Sequence, residues 1–405
     1  MNIAVPAPPI TPQVPLPDRT PVAFAGNPGD FMRLLVRGGL LQIPTAGFYR
    51  FWLITDVRRH LWGNTRIGRE TLEYTGTGRE LLIGFMIALA VLAPIYVAYF
   101  VAGLMAERLQ AFASLPLFLL LYVFGQYAAF RARRYRATRT IFRGVRFWMT
   151  GSAWRYAGKA ILWDLATVLS LGLALPWRMA ALERYKMQNT RFGDLPGEFA
   201  GTGGDLFRRG FGLWLLTVGL IVATAAFALG GRSGLGAVLG MLTLISLVIV
   251  LPLSVPFFRA FVIQWLIAGL RFGGVSFEST LTKGAVVNCY AKWLAANLGL
   301  GIAFAVASWV VFAATGGSLK GLEAGLAGLN AASVGGIAVT VVLYLAFLIG
   351  VSILKRYFLD RGVWVAVAAS TTVVNLKAAD HVTAAGEPAG SLGEGLADAL
   401  DVGAI

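Results

Sequence analysis

Six stretches of this chain are apolar over a length that matches the oily core of a membrane. They are Leu81–Met105, Ala113–Phe130, Gly210–Leu229, Gly236–Phe258, Trp293–Ala314 and Val334–Leu354, and each is all but free of charge inside. A bilayer core of about 30 Å is crossed by roughly 20 helical residues. The remaining chain cannot supply the polar surface a soluble protein needs. Only 14% of residues are charged, against about 25% in ordinary globular proteins, and mean hydropathy is +0.70. Lipid is therefore the expected solvent.

Two further apolar stretches have a different character. Phe31–His60 carries Arg33, Arg37 and Arg50 with IPTAG in its middle, and Ala157–Tyr185 carries Asp164 with SLGLALPW in its middle. Turn residues divide each into halves of about 13–15 residues, roughly 20 Å of helix, which is too short to span. The basic residues distinguish a hairpin from a kinked span. Arg50–Arg79 holds six, Arg131–Lys159 nine, Arg178–Arg209 six and Arg259–Lys292 four, while the other short connections hold one each, Arg108, Arg232 and Lys320. Basic connections stay on the cytoplasmic side. The second and third rich connections flank Ala157–Tyr185, so that segment must enter and leave by one face.

The expected fold is an all-α polytopic membrane protein. It has six transmembrane helices, two re-entrant or interfacial helical hairpins, short cytoplasmic β-hairpins, and both termini in the cytoplasm. The first 28 residues hold eight of the sixteen prolines and one basic residue, Arg19. They lack the basic and apolar regions of a signal peptide and read as a disordered arm. The expected divisions are this arm (1–28), a first membrane repeat (29–156), a second (157–290), a final helix pair (291–366) and an acidic tail (367–405).

The repeat is explicit. With an offset of 125 and no gap, Gly47–Leu81 aligns with Gly172–Leu206 at twelve identities, including Trp52/Trp177, Arg59/Arg184, Asn64/Asn189, Glu73/Glu198 and Gly-Thr-Gly at 76–78 and 201–203. Thr77-x-x-Glu80 and Thr202-x-x-Asp205 have capping-box spacing, and Asn27-x-x-Asp30 is a looser version. Each stands just before an apolar run, where unpaired N–H groups of a helix's first turn would border lipid. NTRIGRETLEY (64–74) and NTRFGDLPGEF (189–199) read as strand, turn, strand. TIFRGVRFW (140–148) and LRFGGVSFE (270–278) read as shorter hairpins, and YFLDRGVW (357–364) as a candidate fifth. Arg59 and Arg184 are expected to buttress Glu73 and Glu198.

These segments resemble the YjgN-type family of bacterial inner-membrane proteins, whose function is unknown. The resemblance rests on FYRFWLITDVRRHLWGNTRIG from Phe48, EYTGTG from Glu73, RTIFRGVRF from Arg139, LGLALPW from Leu171, RYKMQNTRFG from Arg184 and GEGLADALDVG from Gly393. It implies a polytopic protein of the bacterial inner membrane and supplies no activity, substrate or catalytic residue.

No catalytic constellation is visible. GTGREL lacks the Lys of a phosphate loop, and no H-E-x-x-H or G-x-S-x-G occurs. His60 and His381 stand far apart, and Cys289 is alone, so no metal or other cofactor is expected. Asp164 is the candidate functional acid, since an acid in an apolar segment is a functional hypothesis; pairing with Lys159 or Arg155 is the structural alternative. Gln126, Gln264 and Asn297 are either a polar path or interhelical hydrogen-bond partners. Arg131, Arg133, Arg134, Arg136 and Arg139 crowd the end of one apolar run and are candidate contacts to anionic headgroups. Membrane lipids are thus the expected partners, and nucleic acid is not. The function readings are transport of a solute, ion or lipid, or a membrane scaffold that binds lipid or protein through its basic face.

Overall fold

The computed structural model describes residues 19–105, 110–230, 234–314 and 331–386. Its smallest units are two-residue hairpins. β2 (Thr65–Ile67) turns into β3 (Glu70–Tyr74), β4 (Thr140–Phe142) into β5 (Val145–Met149), β6 (Thr190–Phe192) into β7 (Leu195–Phe199), and β8 (Leu270–Phe272) into β9 (Val275–Ser279). Gly68, Gly193 and Gly273 take positive φ at the first turn position, and Arg143-Gly144 takes it at both. These are the conformations whose twist matches paired strands. Each hairpin pairs with the next: β3 with β4, β5 with β6, β7 with β8.

Two strands from opposite ends of the chain finish the ring. β1 (Arg19–Phe24) pairs on one side with β2 and on the other with β10 (Thr371–Val374), and β10 pairs with β9. The result is a closed, antiparallel, ten-stranded barrel in sequence order. Its interior is a packed core. Every strand contributes to one apolar cluster, including Val22, Ile67, Phe142, Phe192, Val275 and Val373, and a 3₁₀ turn at Leu376–Ala379 adds Leu376 and Ala379. Val145 and Phe147 both point in, as do Val275 and Phe277, as period-two alternation requires.

All four two-residue turns lie at one rim of the barrel, so every longer connection leaves from the opposite rim. The first is a short helix pair, α1 (Pro28–Gln42) and α2 (Arg50–Gly63). The second is α3 (Gly78–Met105) and α4 (Gln110–Arg139). The third is again short, α5 (Ala153–Leu169) and α6 (Leu175–Gln188). The fourth is α7 (Gly203–Gly230) and α8 (Gly234–Gly269). The fifth is α9 (Lys283–Ala314) and α10 (Ala331–Leu354), which runs through a π-helical turn at Lys355–Arg361 into α11 (Gly362–Ser370).

The all-α expectation with six transmembrane helices is corrected on two counts. The β-hairpins are parts of a closed barrel. And five helical stretches among the described residues are long and apolar enough to cross a membrane: Gly78–Val101, Gly203–Phe227, Gly234–Gly269, Lys283–Ala314 and Gly335–Ser370. The sixth expected span, Ala113–Phe130, falls in α4, and its residues 113–115 lie outside the described side chains. Tyr357–Trp364, expected as a fifth hairpin, is helical, and its place in the ring is taken by β10 and β1. Residues 19–24, read as part of a disordered arm, are β1.

The two short helix pairs share a tip. Ala46-Gly47 and Leu171-Gly172 both take left-handed φ, and Gly47 N–H donates to Gln42 O as Gly172 N–H does to Thr167 O (2.8 and 2.7 Å). At about 21–26 Å these helices are shorter than a bilayer core. Their tips are nonetheless greasy: Leu40, Ile43 and Phe48 are exposed on one, Val168, Leu169 and Leu171 on the other.

Candidate functional site

The helix-bearing rim is built from one set of contacts made five times among the described residues. Just after each outgoing strand, a backbone N–H donates to the carbonyl ending a returning helix. The pairs are Ala25 to Asn64, Thr75 to Arg139, Thr150 to Asn189, Ala200 to Gly269 and Thr280 to Ser370, at 2.8–2.9 Å. Three residues beyond each strand stands a cap. Asn27 accepts from Gly29 N–H (2.8 Å), Thr77 from Glu80 (3.4 Å), Ser152 from Arg155 (3.4 Å), Thr202 from Asp205 (3.2 Å) and Thr282 from Ala285 (3.3 Å). These satisfy first-turn N–H groups that have no intrahelical partner. A long side chain from the returning helix donates to the carbonyl one residue before the cap: Arg361 to Gly26 (3.1 Å), Arg59 to Gly76 (2.8 Å), Arg184 to Gly201 (3.5 Å), Arg134 to Gly151 and Gln264 to Leu281.

Arg59 and Arg184 therefore hold glycine carbonyls and not Glu73 and Glu198. Those two acids stand exposed on the outer barrel face, with Glu198 opposite Arg271 in the strand register. Asn64 and Asn189 each donate to the carbonyl four residues back, of His60 and Tyr185 (both 2.7 Å). The Gly-Thr-Gly identities also acquire a cause. A Cβ at Gly76 or Gly201 would collide with the ring of Tyr74 or Phe199. One at Gly78 or Gly203 would sit 2.9 or 2.8 Å from the Cα of Trp52 or Trp177. Ser152, Thr282 and Arg361 escaped the sequence reading, and Gln264, read there as a polar-path residue or an interhelical hydrogen-bond partner, instead donates to a carbonyl beside a cap. The constant three-residue interval after each strand is the signal that finds the two caps.

The acids of the caps behave differently from one another. Asp205 accepts from Thr202 Oγ1 (2.7 Å) and pairs with Arg208, and Asp30 pairs with Arg33. Glu80 turns away from its cap. It pairs with Arg139 (2.8 Å) and accepts from the fully buried Tyr135 hydroxyl (2.7 Å), whose pKa burial drives upward. The arginine cluster on α4 is likewise engaged inside the protein. Arg133 pairs with Glu183 (2.8 Å), Arg134 clamps Gly151, and Arg131 lies over the Tyr127 ring. Arg136 also has a partner. Burial alone would push the Glu183 carboxyl up, but Arg133 and Lys186 on either side hold it below its ordinary value. Asp164 pairs with neither Lys159 nor Arg155. It is held by Arg178 across the short hairpin (Nη2–Oδ2 3.0 Å) and by the Tyr122 hydroxyl of α4.

Beside this hairpin, α6, α7 and α8 frame a groove of about 440 Å³, lined among others by Met179, Leu213, Trp214, Thr217, Phe258 and Arg259. A smaller cavity lined by Gly172, Leu175, Phe207 and Trp214 shares part of its wall. The hydroxyls and the indole N–H of the wall are satisfied within the protein, and Arg259 is engaged by one of its nitrogens. Trp214 donates to Leu171 O, Thr217 to Leu213 O, Ser254 to Leu251 O and Arg259 to the Tyr290 hydroxyl. The groove thus presents an apolar surface of a size within the usual ligand-site range of about 300–1,000 Å³. Asp164 lines neither cavity.

Bacterial proteins of unknown function grouped as DUF898 match residues 19–399, from the first strand of the barrel to beyond its last. The chain belongs to this family. It is also similar to the inner membrane protein YjgN of Salmonella typhimurium strain LT2, at 25% identity over 138 residues. That match covers 33% of this chain and 33% of the relative, so the chain aligns with about a third of the relative's length. No solved structure matches the chain. The YjgN-type resemblance read from the sequence therefore holds, and with it a place among membrane proteins. Among the described residues no three His, Cys, Asp or Glu side chains lie where they could hold a metal. Cys289 is a free, half-buried thiol.

Proposed function

We propose that this protein is a lipid-binding membrane scaffold, in which the barrel gathers the helix pairs on its cytoplasmic side and the α6–α8 groove takes an acyl chain. The satisfied polar groups of the groove carry this reading. The hydroxyls of Thr217 and Ser254 and the indole N–H of Trp214 are spent within the protein, and Arg259 gives one of its donors to Tyr290, so little of the wall is aimed at a polar solute, whereas an apolar chain needs none. The density of Arg and Lys on the barrel side supports a cytoplasmic barrel, with both ends of the described chain on that side. The two copies of the 47–81 pattern support a duplicated ancestry for the rim.

The test is lipid retention. The purified protein should carry bound phospholipid through detergent washing, seen by native mass spectrometry. Thr217→Phe, which fills the groove, should lose most of it without changing thermal stability. Retention equal to wild type in that variant would sink the groove reading.

Transport of a small solute, ion or lipid is the second reading, favoured by Asp164, whose carboxylate lies among apolar helices with Arg178 and Tyr122. It predicts that Asp164→Asn abolishes flux in vesicles of an otherwise folded protein. Unaltered flux would remove Asp164 from any mechanism.

A further inference from the structure

The short pair α1–α2 holds a second cavity, of about 360 Å³, far from the groove in sequence. Arg33, Arg37, Tyr49 and Asp56 line it, with Leu34 and Leu53 beside them. Its charges are incompletely matched. Arg33 is occupied by Asp30 at 2.7 Å. No hydrogen bond or salt bridge joins Arg37 to another described residue. Asp56 accepts no hydrogen bond from any described residue. Its salt-bridge partner, Arg59, stands 3.7 Å away and directs its other guanidinium nitrogen to Gly76 O. Burial raises the Asp56 carboxyl above its ordinary value, against the pull of Arg59 and Arg37.

The position of the cavity narrows its ligand. The same hairpin exposes Leu40, Ile43 and Phe48 toward its tip, while Arg33 and Arg37 lie on the side nearer the barrel. Apolar residues followed by arginines mark the depth of lipid headgroups. A guanidinium and a carboxylate that face one space without bonding to each other suit a ligand that carries an anion and an N–H cation together.

We infer that this cavity binds the phosphoethanolamine headgroup of a phospholipid, its phosphate on Arg37 and Arg33 and its ammonium donating to Asp56. The inference rests on the lipid-binding reading above and concerns a separate site. A phosphatidylglycerol would satisfy the arginine and leave Asp56 without a donor. A phosphatidylcholine would bring a cation with no N–H to give. Selection should therefore follow the ammonium hydrogens.

The full-length protein is reconstituted in vesicles of equal parts phosphatidylethanolamine, phosphatidylglycerol and phosphatidylcholine, re-extracted, and its retained lipids are counted by native mass spectrometry. Phosphatidylethanolamine should exceed each of the others roughly tenfold, the scale of one charge-assisted hydrogen bond. Asp56→Asn, nearly isosteric, should bring it down to the level of phosphatidylglycerol. Arg37→Gln should lower retention of all three. Displacement by free phosphoethanolamine assigns the affinity to the headgroup alone, and failure to displace at intact selectivity assigns it to the whole lipid.

Equal retention of phosphatidylethanolamine and phosphatidylcholine by the wild-type protein overturns the inference, as does unchanged selectivity in a folded Asp56→Asn. The wild-type comparison decides even if a variant does not fold. Thr217→Phe separates the two sites: it should reduce total lipid and keep the preference of what remains. Absence of any retained lipid in the wild type overturns both readings, whereas retention without preference overturns this one alone.

Discussion

His60 shows how a single residue ties the first strand to the first helix pair. It stands on α2 with its ring against Phe31 (5.0 Å between centroids) and Phe24, and its Nε2 is buried without a partner. Burial lowers its pKa below 6.5, and Arg361 lowers it further against the opposite pull of Asp30. The neutral ring is therefore the native form. As pH falls below about 6.5 the unfolded chain takes up the proton first, so the stability is full above that value and is lost toward the lower native pKa. Thermal unfolding followed from pH 7.5 to 5 should reveal a fall in wild type. His60→Phe, which keeps the ring contacts, should flatten it, and an equally steep fall in the variant would assign the titration elsewhere. None of this was legible in the sequence, where His60 is one of two scattered histidines. The caps were legible, because Asn27, Thr77 and Thr202 act locally and leave a local signature. The partner of Arg59 was not. The sequence places Glu73 within reach, but Gly76 O is the group whose backbone geometry leaves it needing a donor.

At the scale of elements, the hairpins were readable because a two-residue turn with Gly leaves a local trace, and the helix pairs because their apolar length does. The strands next to the chain ends left none. β1 follows a proline-rich segment and β10 follows a helix without a turn between them. Beyond its pairing with β2 and β10, β1 is held by a latch formed late in the chain. Arg361 donates to Gly26 O and lies over the rings of Phe24, Phe31 and Tyr357 at 5.6, 5.9 and 5.8 Å. One charge-assisted hydrogen bond and three partly buried cation–π contacts make Arg361→Leu cost about 2–4 kcal/mol. The loss should be local. Hydrogen exchange should rise in β1 and at the start of α1, while β6 and β7 keep their protection. A uniform rise across the barrel would mean that the latch stabilises the whole ring rather than its seam.

For the whole molecule, the decisive fact is closure, and closure is the property a sequence reading reaches last. Strands of three to six residues are too short to display alternation against their flanking helices, and the pair that seals the ring joins residues at opposite ends of the described chain. Alone, each hairpin would be marginal in water. In the ring no strand edge is left open, and all ten strands share one apolar interior. This makes the barrel the organiser of the membrane part, since all five helix pairs start and finish at one rim. Closure is tested at the seam. Arg19 lies directly opposite Val374 in register, and Thr20 opposite Val373. Opposed antiparallel residues have Cα atoms about 4.5–5.5 Å apart, within disulfide reach. Arg19→Cys with Val374→Cys, in a chain whose native Cys289 is replaced by Ala, should therefore cross-link on mild oxidation. Closing so long a loop should raise the thermal midpoint, with about 5 kcal/mol as the upper estimate of the gain. Arg19→Cys with Thr372→Cys, two residues out of register, should cross-link far less. Equal yields from the two pairs would mean that β1 does not hold this register, and the barrel would then be an open sheet with two free edges.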